Sequence, residues 1–129
     1  MDQSGPKHIL VVEDYDPVRE LTAAMLEERG YRVSTAREGA SMRHFLRTHD
    51  RVDAVVLDVV TPGEGGASLA RHARELGIPV VMISGSHDAI RLAADHGLQL
   101  LRKPFRMEEL YAEVDKALSS SEFGQRSAC

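Results

Sequence analysis

His8-Ile9-Leu10-Val11-Val12, running into Glu13-Asp14, and Asp53-Ala54-Val55-Val56-Leu57, closing on Asp58, decide how this chain folds. Their apolar residues are consecutive. A strand with one wet face alternates apolar and polar residues, whereas a strand of a parallel sheet is covered by helices on both faces and is apolar throughout. Along the rest of the chain, strand-like runs at 8–13, 31–36, 53–58, 79–84 and 98–102 alternate with helix-like segments. The pattern predicts an α/β fold and argues against an antiparallel sandwich.

The helix signals repeat with the same punctuation. Asp16 is placed as an N-cap, with Pro17 at the first helical position and Val18, Leu21 and Met25 along one face. Gly30 stops that helix, and Gly77 and Gly97 follow the third and fourth helices, where positive φ ends a helix before the next strand. A second helix over about 38–48 rests on Ala40, Phe45 and Leu46. The last carries Met107, Leu110, Tyr111, Val114 and Leu118 at helical spacing, a stripe read as core packing. From Ser119 to Gly124 too little apolar surface remains to offset ordering. The domain is therefore expected over 6–118, with 1–5 and 119–129 as flexible tails.

Composition narrows the functional classes. The 129 residues, 43% hydrophobic and 28% charged, suit one domain with a proper core. Lys and Arg number 16 against 20 acids, a net charge of -4, which gives no basis for direct nucleic-acid binding. The one cysteine, Cys129, permits neither an internal disulfide nor a Cys-cluster metal site, which fits a reducing compartment, the cytoplasm. Met1 to Lys7 lacks an apolar leader core, and no apolar run reaches the roughly 18 residues of a membrane span. The six histidines, His8, His44, His49, His72, His87 and His96, show no ligand-like spacing and are expected at the surface.

Carboxylates and a lysine stand at the ends of different strand-like runs: Glu13 and Asp14 after the first, Asp58 at the third, and Lys103 after Leu100-Leu101-Arg102. Strand ends on one edge of a parallel sheet open into a shared crevice. Residues distant in sequence can therefore hold one divalent cation and one anionic group there, an arrangement suited to phosphoryl transfer. Singly, each has an ordinary reading: strand-end acids cap helices, a lysine is solvated, and Ser84-Gly85 makes a turn.

Together the motifs resemble the receiver (CheY-like) domain of two-component response regulators. The resemblance rests on Glu13-Asp14, on Asp58 followed by Pro62 and Gly66, on Ser84-Gly85 and on Lys103-Pro104-Phe105, in the family's order. It implies a doubly wound, flavodoxin-like sheet of five parallel strands in the order 2-1-3-4-5, with helices on both faces. It further implies that Asp58 is the phosphoacceptor, taking a phosphoryl group from a phosphohistidine on a sensor histidine kinase or a histidine phosphotransfer protein. Mg²⁺ would be held directly by Asp14 and Asp58, through water by Glu13, and by the backbone carbonyl of Val60. Lys103 would pair with the phosphoryl oxygens, Ser84 would swing toward the new phosphate, and the Lys103–Pro104 peptide would be cis. The chain would be no enzyme beyond its own phosphorylation and dephosphorylation, and the donor histidine would be external.

The sequence departs from the family pattern in places. Leu100 stands where a switching Tyr or Phe is usual, and the stretch from Ser84 to Lys103 is shorter than usual, which shrinks the helix within it. Glu13 replaces the more common Asp. Val60 and Ser86 occupy positions that influence hydrolysis of the phosphoryl group, and an apolar Val60 cannot orient water, so slow dephosphorylation is expected. Two alternatives come from other classes. One is a phosphorylation-independent interaction module with a receiver fold, against which the complete acidic site argues. The other is a small Mg²⁺-dependent phosphatase, against which the missing second acid at Val60 argues.

Overall fold

Side chains alternate across a strand, so consecutive apolar residues must feed two cores, one on each face of the sheet. The computed structural model describes residues 5–49, 51–58, 65–85, 91, 93–95, 97 and 99–128. Its elements are β1 (His8–Val12), α1 (Asp16–Glu28), β2 (Arg32–Ala36), α2 (Gly39–Thr48), β3 (Ala54–Asp58), α3 (Gly66–Glu75), β4 (Val80–Ser84), β5 (Gln99–Arg102) and α4 (Met107–Ala128). The five strands form one sheet in the order β2-β1-β3-β4-β5, every pair parallel.

Leu10, Val12, Val55, Leu57, Val80 and Met82 point to one face, where Met42 and Leu46 of α2 and Leu69, Ala70 and Ala73 of α3 cover them. The alternate residues Ile9, Val11, Ala54, Val56, Val81 and Ile83 meet Leu26 of α1 and Leu110, Val114 and Ala117 of α4 on the other face. Full burial of a Leu or Val side chain contributes about 1.5–3 kcal/mol, so this double cover is the main term fixing the layers. Register then aligns the strand ends: Val12 lies opposite both Ala36 and Leu57, Asp58 opposite Ile83, and Ser84 opposite Arg102. The residues directly after Val12 and those that end β3, β4 and β5 therefore share one edge.

Gly30 and Gly77 end α1 and α3 at φ 103° and 80°, and Gly97 has φ 65°. A Cβ at Gly30 or Gly77 would meet nothing within 4 Å, so backbone conformation rather than space calls for glycine.

Several local expectations are corrected. Asp16 is the first residue of α1 rather than its cap; Tyr15 holds the cap position without a side-chain bond. The fully buried residues of α1 are Arg19, Thr22 and Leu26; of the expected stripe, Met25 is half-buried and packs against the same core, Val18 is half-buried, and Leu21 is 62% exposed. His8 is buried rather than superficial, its ring nitrogens 2.9 Å from the Arg51 carbonyl and 2.8 Å from Ser34 Oγ. Helix α4 also continues past Leu118, where the apolar stripe ends, to Ala128. Among the described residues no helix is long and apolar enough to cross a membrane.

Candidate functional site

Because β1, β3 and β5 end at the same level, Glu13, Asp14, Asp58 and Lys103 meet at the carboxyl edge of the sheet. Glu13 and Asp58 are buried, 4% and 6% exposed, and Asp14 is exposed. One carboxylate oxygen from each of the three acids lies within 4.8 Å of those from the other two. Lys103 enters from β5, its Nζ 3.3 Å from Asp58 Oδ2 and 3.7 Å from Glu13 Oε1. Its backbone N–H donates to the Ser84 carbonyl at 3.0 Å, which ties the end of β5 to the end of β4. The Lys103–Pro104 peptide is cis.

Burial and a neighbouring acid both disfavour the ionised form of Glu13. Burial pushes the Glu13 carboxyl up to about 7, helped by its hydrogen bond with Asp58 and opposed by the Tyr15 N–H, which donates to Glu13 Oε2 at 3.2 Å. The charge of Asp58 raises it further, while the Lys103 ammonium lowers it. Three carboxylates facing one ammonium form a concentration of hard oxygen donors with negative charge to spare, which suits a divalent cation.

Ser84 is 2% exposed at the end of β4. Leu100 of β5 pairs with Met82 of β4 and packs against the core on the α2–α3 face. Val60 and Ser86 lie outside the described residues. The sequence reading missed Arg19. It is 9% exposed, donating from Nη1 to the Glu13 carbonyl at 3.1 Å and from Nη2 to Asp16 Oδ1 at 2.5 Å. A charge sharing a helical face with Thr22 and Leu26 was the available signal, because such a residue must bring a partner inward.

Comparison with known proteins agrees with this geometry. The family model described as the response regulator receiver domain matches residues 9–115. The transcriptional regulatory protein CseB of Streptomyces coelicolor is 38% identical over 117 residues, covering 86% of this chain and 49% of that protein. The sensor kinase CckA of Brucella abortus is 35% identical over 127 residues, 94% of this chain but 13% of the kinase. The solved receiver domain of NtrX from Brucella abortus is 30% identical with a TM-score of 0.78, covering 86% of this chain and 98% of that one. The chain thus spans about half the length of CseB and resembles a segment of larger regulators and a kinase. With the family model covering most of its length and the strand-edge acids in place, the chain belongs to the response regulator receiver domain family of two-component systems.

Proposed function

We propose that Asp58 accepts a phosphoryl group from a phosphohistidine on a sensor histidine kinase or a histidine phosphotransfer protein, and that the phosphorylated form changes contacts with a downstream protein. The observation carrying this reading is the buried Asp58 carboxylate, 3.3 Å from the Lys103 ammonium and grouped with Glu13 and Asp14. An Asp58 oxygen forms its bond to phosphorus as the phosphorus–nitrogen bond breaks, the electron pair returning to the imidazole. Lys103 moves from countering Asp58 to countering the phosphoryl oxygens. The Ser84 hydroxyl donates to one of them and carries the charge change into the segment beyond β4.

The donor set fits Mg²⁺, which prefers oxygen ligands. Asp14 and Asp58 would hold it directly, Glu13 through a water, and the Val60 carbonyl as a further ligand. Bound there it neutralises charge between the nucleophile and the anionic phosphoryl group. With Leu100 in place of an aromatic ring, the response runs through Ser84 and the segment beyond β4 rather than through a ring rotation. Val60 leaves the attacking water unoriented and Ser86 is the second position bearing on it, so the acyl phosphate decays slowly. Val60→Asn should speed that decay, and an unchanged half-life would overturn this point. Turnover of an external substrate has no place in this reading, nor has direct contact of this domain with nucleic acid or membrane; the compartment it suits is the cytoplasm.

The test is intact-mass measurement after incubation with Mg²⁺ and acetyl phosphate. Wild type should gain one phosphoryl group and Asp58→Asn none. A wild type that gains nothing, or a mutant that gains as much, would overturn the reading.

A further inference from the structure

Besides its contacts with Asp58 and Lys103, Glu13 is held by three hydrogen bonds with the segments around it. Its N–H donates to the Ala36 carbonyl of β2 at 3.0 Å, its carboxylate accepts from the Tyr15 N–H, and its carbonyl accepts from the buried Arg19 guanidinium at 3.1 Å. That carbonyl belongs to the peptide unit joining Glu13 to Asp14, so its orientation sets where Asp14 leaves the strand. The other arm of Arg19 holds Asp16 Oδ1 at 2.5 Å, and the same oxygen accepts from Arg37 Nη2 at 2.8 Å. Arg19 therefore links the turn after β1, through Asp16, to the turn after β2. A guanidinium suits this position because its planar fork serves two acceptors at once and stays charged when buried.

We infer that Arg19 is a positioning residue for the cation site: it fixes the Glu13–Asp14 peptide so that both carboxylates sit where they can share one metal ion. The inference rests on the reading of Glu13, Asp14 and Asp58 as that site. Charge and position make opposite forecasts here. A cation beside a metal site repels the metal, so by Coulomb interaction alone removing Arg19 would tighten Mg²⁺ binding. If Arg19 acts by holding the peptide, removing it weakens binding, and groups that orient metal ligands typically contribute about 10–100-fold in affinity.

The experiment is calorimetric titration of the full chain with Mg²⁺, for wild type and Arg19→Met, each first shown to unfold cooperatively without metal. Arg19→Met should bind at least about tenfold more weakly, with its acetyl phosphate labelling restored by excess Mg²⁺. Unchanged or tighter binding by a folded Arg19→Met overturns the inference while leaving the metal site intact. If wild type takes up no Mg²⁺, the metal site itself fails and the inference with it. Should Arg19→Met not fold, Arg19→Lys carries the test. It keeps the charge but cannot span both acceptors, so several-fold weakening supports the positioning role and wild-type affinity overturns it.

Discussion

The Lys103 ammonium lies 3.3 Å from the Asp58 carboxylate across the gap between β3 and β5, two strands separated in the sheet by β4. The pair bridges sequence-distant elements at the edge where the acids gather. If Lys103 passes from Asp58 to the phosphoryl oxygens during transfer, its charge matters most in the transition state. Lys103→Met should then lower the rate of labelling by acetyl phosphate by about 100-fold, the usual scale for one lost charge-stabilising donor. Time-resolved intact mass measures this, and a mutant rate within threefold of wild type, taking roughly threefold as measurement scatter, would refute that role.

Metal binding should also appear as stability. A ligand that binds the folded state and not the unfolded one contributes about 2.7 kcal/mol at a hundred times its dissociation constant. Saturating Mg²⁺ is therefore expected to raise the thermal midpoint, and chelation to reverse the rise. Asp14 is exposed, so Asp14→Asn should leave the metal-free midpoint nearly unchanged and abolish the Mg²⁺-dependent increment. Differential scanning calorimetry of both proteins, with and without Mg²⁺, decides it; an undiminished increment in the mutant removes Asp14 from the ligand set.

Away from the site, Tyr31 and Arg29 both donate to Asp115 of α4, the arginine at 2.6 Å, and the guanidinium sits over the Tyr111 ring at 5.1 Å. Burial, then the hydrogen bond to Asp115, pushes the Tyr31 hydroxyl from 10.0 up to about 12. A folded-state value above the unfolded one means stability fully present below about pH 10 and lost as pH rises through about 12. Burial disfavours ionised Asp115, but the bonds from Tyr31 and Arg29 outweigh it and hold its carboxyl below the usual range. Its contribution is therefore lost in acid. Tyr31→Phe should cost about 1 kcal/mol at neutral pH and flatten the alkaline fall in stability, measured by urea unfolding between about pH 8 and 11.5. An equally steep fall in the mutant would assign the alkaline loss to other groups.

The sheet was legible because parallel strands covered on both faces must be apolar on consecutive residues, as in Ile9 to Val12 and Ala54 to Leu57. The acids and Lys103 were legible because each stands directly at the end of such a run. Arg19 was legible only as a charge on the face of Thr22 and Leu26; its tie to the site was not, since there its acceptor is the carbonyl of Glu13, a backbone atom that composition and spacing cannot flag. His8 was misjudged for a similar reason: its ring bonds reach the Arg51 carbonyl and Ser34, contacts made only once β1 lies beside β2 and the residues before β3.

The same limit explains the face of α1. Val18, Leu21 and Met25 form the more apolar stripe, yet α1 buries Arg19, Thr22 and Leu26 most deeply, the guanidinium reaching the end of β1 and Leu26 joining the core cluster of Leu110 and Val114, with half-buried Met25 packed against it. Val18, Leu21 and Met25 also line an open groove of about 660 Å³ with Pro104, Phe105 and Met107. Stability should follow burial rather than hydrophobicity. Leu26→Ala, at a position with no exposed surface, is expected to cost about 2–5 kcal/mol, the range for a buried leucine whose surroundings relax only partly. Leu21→Ala, at a position 62% exposed, should stay within about 0.5 kcal/mol of wild type. Chemical denaturation of the two mutants separates the faces, and a larger loss at Leu21 than at Leu26 would mean that α1 packs by its apolar stripe after all.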